Sequence, residues 1–126
     1  MIDATSFPDA EAAVIAVVKA ADPDLFVSNT TPAPIPDPAV IVGFSGGGYR
    51  AWGEAGMNVA VNVYAGTEKA CRDLAIWVQD VLAVASGDLI EHVSTPAGGA
   101  MSVPRQSPPF QRYFVVTVHL RGQATL

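Results

Sequence analysis

Two stretches of clean alternation constrain this chain more than anything else in it. In Met57–Tyr64, Met57, Val59, Val61 and Val63 point one way, and Asn58, Ala60, Asn62 and Tyr64 point the other. In Arg112–Arg121, Phe114, Val116, Val118 and Leu120 form one face, and Tyr113, Val115, Thr117 and His119 the other. Period-two patterning of this kind describes strands with one face buried and one face of mixed character. A buried strand face needs a cover, and two helical stripes offer it.

The first helix is expected from about Pro8 to Ala21. Proline at its first position, and Asp9 and Glu11 in its first turn, suit a helix N-terminus. Ala10, Ala13, Val14, Val17, Val18 and Ala21 then make one apolar stripe, and Asp22-Pro23 ends the helix. The second opens on Thr67 as N-cap with Glu68 in the first turn. Its stripe is Ala70, Cys71, Leu74, Trp77, Val78, Val81 and Leu82, with Gly87 as the stop. On that stripe, Cys71 and Trp77 read as core packing rather than as a reactive thiol or a stacking platform.

Shorter strands are expected at Leu25–Val27, Val40–Phe44 and Leu89–Ser94. Thr31–Pro38, TPAPIPDP, has proline at every second position, so it is extended but unable to donate to a sheet ladder. It reads as a stiff connector in preference to a proline-ligand motif. Thr95–Pro109 shows no element of its own, and a 15-residue loop in a compact domain tends to be functional. The order of elements predicts one α+β domain over residues 1–126, a mixed, mainly antiparallel sheet with two helices packed against it.

The motif that invites an enzymatic reading is GFSGG at 43–47, which matches the G-x-S-x-G of a nucleophile elbow after an apolar strand. An elbow needs a helix next. Six glycines between 43 and 56 oppose one, and the turn instead leads into another strand. The only histidines, His92 and His119, both fall within expected strands. Ser45 therefore reads as part of a glycine-rich hairpin, with a small serine hydrolase as the enzymatic alternative.

Other chemistry finds little to build on. No G-x-x-x-x-G-K-[ST] occurs, and two isolated histidines with one cysteine form no metal-ligand cluster. The pair Asp88/Glu91 has nothing to place it in a pocket, while Asp22, Asp24 and Asp37 beside prolines are ordinary turn residues. Arg50, Arg105, Arg112 and Arg121 are scattered. The reading is no catalytic residue, no cofactor and no metal.

Composition points to surfaces. Hydrophobic residues make up 50% of the chain and charged ones 15%, low for a solitary monomer surface. The net charge of −5 gives no basic footprint for gripping nucleic acid, though an acidic lining lets DNA slide past. One cysteine excludes an internal disulfide and suits a reducing compartment. No membrane span or secretory leader is expected. Two segments carry the composition of interfaces: 44–56, with Phe44, Tyr49 and Trp52 among glycines, and 96–110, with Met101, Val103, Arg105 and Phe110 among prolines.

The run MNVAVNVYAGTEKACRDLAIWVQDVLAV, then LIEHVSTPAGG, a proline-bearing loop and QRYFVVTVHLRG, resembles the tail terminator proteins of long-tailed bacteriophages, especially those of actinobacterial hosts. The PDAEAAVIAVVKA helix and the proline-rich stretch agree more loosely, so the resemblance covers about Pro8 to Gly122. It implies a homo-hexameric ring in the virion, assembled in the host cytoplasm. Such a ring caps the last ring of tail tube protein, ends polymerisation and meets the head-completion proteins, while DNA passes its lumen unbound. A head–tail stopper ring is the nearest alternative. The family has no shared catalytic residue to carry over.

Overall fold

The computed structural model describes residues 4–6, 9–51, 54–87, 90–94, 100–105, 107–121 and 123–125; the side chains of 4–6, 44–51, 54 and 123–125 lie outside that description. In chain order the elements are β1 (Ala4–Ser6), α1 (Ala10–Ala21), β2 (Phe26–Ser28), β3 (Ala39–Ala51), β4 (Glu54–Ala65), α2 (Glu68–Ala83), β5 (Ile90–Ser94), β6 (Met101–Val103), β7 (Phe110–Arg121) and β8 (Gln123–Thr125).

Six strands form one mixed sheet in the order β2-β3-β4-β7-β5, with β6 also on β7. Only β2 and β3 run parallel; the other pairings are antiparallel. The fold is therefore α+β, as the patterning requires. Strand β7 is the spine. It pairs with β4 over its whole length, Ala65↔Phe110 to Glu54↔Arg121, and its other edge is shared between β6 at Gln111–Tyr113 and β5 at Thr117–Leu120.

The alternation falls as predicted. Val59, Val61 and Val63 of β4 and Phe114, Val116, Val118 and Leu120 of β7 are buried in one cluster with Val40, Val42, Ile90 and Val93. Both helices lie on that face: α1 contributes Ala10, Val14 and Val18, and α2 contributes Cys71, Ala75, Val78 and Leu82. Each fully buried side chain of this size contributes roughly 1.5–3 kcal/mol, so this single layer supplies most of the driving force. Trp77 is half-buried against the same core. The Cys71 thiol is buried and donates to the Val63 and Phe110 carbonyls at 3.4 and 3.5 Å. Burial pushes its pKa up, with the Arg112 charge pulling the other way.

Several boundaries differ from expectation. Helix α1 starts at Ala10: Asp9 is its N-cap, accepting from the Glu11 and Ala12 amides at 2.9 and 3.3 Å, while Pro8 is outside the described residues. The capping carboxylate outcompetes the proline rule because it satisfies two orphan donors at once. Ala21 and Ala70, expected on the stripes, are exposed, and Ala75 takes a buried place instead. Thr67 caps α2 as expected, accepting from Ala70 N at 3.1 Å, but the helix ends at Ala83 and not at Gly87. The Gly87 amide donates to Ile90 O at 2.8 Å, so that glycine shapes the entry into β5.

The largest correction concerns the glycine-rich segment. Strand β3 runs on to Ala51 and pairs with β4 down to Ala51↔Glu54, so 44–51 is strand with a register shift between Phe44 and Gly48. A bulge absorbs the extra residues, a common use of glycine in long strands. Likewise 95–109 is not wholly without structure: Met101–Val103 is β6, paired with β7.

Candidate functional site

With both helices on one side, the opposite face of the sheet has no helical cover among the described residues. Alternation places Asn58, Ala60, Asn62 and Tyr64 of β4 there, beside Gln111, Tyr113, Val115, Thr117 and His119 of β7. Met101 and Val103 of β6 lie opposite Tyr113 and Gln111, and His92 and Ser94 of β5 opposite His119 and Thr117. From Asn58 to Tyr64 and from Gln111 to His119 this face carries no Asp, Glu, Lys or Arg, and of those residues only Tyr64 is fully buried.

Its polar groups bond across strands. The Thr117 hydroxyl donates to Asn58 Oδ1 at 2.8 Å, and Gln111 Nε2 donates to Asn62 Oδ1 at 2.9 Å. At the β5 side, Ser94 Oγ and His119 Nε2 are 3.1 Å apart, and the His92 ring stacks on His119 with centroids at 3.9 Å and planes 14° apart. Such links tie the side chains to one another across the strands and leave an uncharged surface.

At the other end the face is roofed by the proline segment. The β2–β3 connection crosses it, and Ile35 packs on Ala39, Ile41 and Tyr64. Between this segment and Pro108-Pro109 lies a groove of about 660 Å³, with Asp37 and Arg105 as its charged lining. The Arg105 guanidinium sits 5.6 Å over the Tyr64 ring and donates to Gln111 Oε1 at 3.3 Å. Asp37 Oδ1 accepts from the Gly66 amide at 3.0 Å, tying the crossover to the β4–α2 turn. TPAPIPDP thus forms the connection between β2 and β3, tied down at Asp37.

The expected interface residues divide. Met101 is 61% exposed and Phe110 43% exposed, Arg105 is exposed at the groove, and Val103 is half-buried instead of exposed because β6 lays it against β7. Met101, Val103 and Arg105 gather at the groove end of the open face. Phe110 does not join them: alternation puts it with Arg112 and Phe114 on the helix side. Phe44 and Tyr49 occupy β3 positions opposite Val59 and Gly56, with side chains outside the described residues; Trp52, Asp88 and 95–99 lie outside them altogether. Ser45 lies inside β3, with strand before and after it, and the next described element is strand β4, not a helix. Sequence reasoning missed Phe26, 37% exposed at the β2 edge, and the polar ladder of Asn58, Asn62, Gln111 and Thr117.

Among the described residues, no three His, Cys, Asp or Glu side chains gather as metal ligands. No protein-family model and no curated protein sequence matches this chain.

Proposed function

We propose that this protein is a structural component of a phage tail that caps the tail tube as a ring, ends tail polymerisation and offers the surface on which the head is joined. The observation that carries this reading is the uncharged, half-buried open face, flanked by exposed Phe26 and Met101. Surfaces of soluble domains ordinarily carry roughly 25–35% charged residues, and charge depletion with aromatic and methionine enrichment is the mark of an interface core. The resemblance in sequence supplies the identity of the surface's partners: further copies of this chain in a hexamer, the tail tube protein and a head-completion protein. The role is docking, and bond chemistry has no part in it.

Capping demands asymmetry. One face of the ring must complement the tube subunit while the opposite face must not, so that growth stops. Electron microscopy of the purified protein with tail tubes tests this: rings are expected at one end of each tube, and tubes should lengthen no further once capped. Rings that co-sediment with filled heads and ignore tubes would assign the protein to the stopper position instead. A monomer that leaves tube growth untouched would end the proposal.

A further inference from the structure

Strands β1 and β8 form a sheet of their own, separate from the six-stranded one. Ala4, Thr5 and Ser6 pair antiparallel with Thr125, Ala124 and Gln123, three residues a side. Strand β8 begins at Gln123, only two positions after β7 ends at Arg121, so the ribbon is tethered closely to the spine of the main sheet. A two-stranded ribbon needs a third strand or a packed face to persist in water. The outer edges of β1 and β8 pair with no other described strand. None of the six residues is charged and none is proline, so apart from their shortness these strands lack the usual defences against strand addition.

The main sheet has a matching edge whose one protection is its shortness. Strand β2 ends the strand order, is three residues long, carries no charge and pairs with β3 without a bulge. Its first residue, Phe26, is exposed. The opposite edge is guarded: β5 has a register shift at Glu91 with that charge exposed, and β6 is followed at once by Pro104. Bulges, charges and prolines are devices that blunt an edge, and β2 has none of the three.

We infer that the β1–β8 ribbon of one copy adds to the β2 edge of a neighbouring copy, continuing the six-stranded sheet across the subunit boundary. The two surfaces differ, so the contact is head-to-tail and closes into a ring where the rotation allows. This inference rests on the self-association proposed above and specifies the segments that perform it; Phe26 is the apolar anchor of the joint.

The test uses the full chain, hydrogen exchange and native mass spectrometry. In the wild type, amides of 4–6, 26–28 and 123–125 gain protection together, by about tenfold or more, as concentration drives assembly. A ribbon variant, Thr5→Pro with Ala124→Pro, and an edge variant, Phe26→Lys, each remain monomeric with far-UV circular dichroism unchanged. Mixed together they form a dimer and go no further, because each supplies the half the other lacks. Several results would overturn the inference: either variant assembling as the wild type does, the mixture staying monomeric, or ribbon amides already protected in the dilute monomer. A wild type whose ribbon exchanges freely at every concentration, or is protected only on adding tail tubes, overturns it equally. Rings that assemble this way but ignore tube ends would instead sink the capping role and leave the joint standing.

Discussion

Replacing Gly66 by alanine should change sign with the residue at position 37. The Gly66 amide donates to Asp37 Oδ1 at 3.0 Å. A Cβ added to Gly66 would collide with Asp37 Oδ2 and lie 3.3 Å from its Cγ. The carboxylate must then swing away. Hydrogen bonds to charged acceptors are worth roughly 1.5–3 kcal/mol; Asp37 is exposed, so screening reduces this one to about 1 kcal/mol. Gly66 does not adopt a positive φ, so alanine there also restricts the unfolded chain and stabilises by about 0.4–1 kcal/mol. In the wild type the two effects nearly cancel, leaving Gly66→Ala a few tenths of a kcal/mol destabilised. In an Asp37→Ala background the clash and the bond are both gone, and the same substitution should stabilise by about 0.4–1 kcal/mol, roughly 2–4 °C in Tm. Urea unfolding of the four proteins, followed by circular dichroism, closes the cycle. An equal loss from Gly66→Ala with and without Asp37 would refute the reasoning, because the collision would then be with something else.

Leu82→Ala removes a fully buried side chain from the helix–sheet core and should lower stability by about 2–5 kcal/mol in urea titrations. Arg112 lies under α2 with Nε buried and unbonded and with Glu68 only at 3.9 Å, so Arg112→Met is expected to be neutral or stabilising by up to about 2 kcal/mol in the same assay. Burial holds the Cys71 thiol protonated above the ordinary range. The unfolded thiol therefore ionises first, and stability is unaffected below about pH 8.5 but falls above it. The drop in urea midpoint between pH 8 and pH 9.5 should be smaller in Cys71→Ala, with pH points chosen about that thiol value. Val115→Lys puts a charge in the middle of the open face; ring formation seen by electron microscopy should be lost while thermal stability stays within about 0.5 kcal/mol.

The parts of this fold legible in the sequence are those where many residues vote together. The valines of β4 and the alternation of β7 fix which face is buried, and the Thr67 cap and its stripe fix α2, because period and burial reinforce one another. Strands of three residues carry no period to detect. That is why β1, β6 and β8 are invisible in the sequence, and why β2 is found only as a trace one residue out of register. The glycines at 46–48 point to a turn by propensity, yet pairing with β4 overrides them and carries the strand on to Ala51. At the open face, Met101 and Arg105 were readable as loop residues of interface type. The ladder through Asn58 and Thr117 was not, since asparagine and threonine on a strand acquire that meaning only once the cross-strand register is known.

Because β7 touches β4 along one flank and both β5 and β6 along the other, the sheet cannot close until residue 110 and beyond have been made. During synthesis, β3 and β4 can form their hairpin early, but its valine-rich rim stays naked through the 44 residues between Ala65 and Phe110. Such non-local closure is slow and leaves a sticky intermediate. The helix α2, which falls in that interval, is then the natural temporary shield, folding down on Val59, Val61 and Val63 before their permanent neighbour arrives.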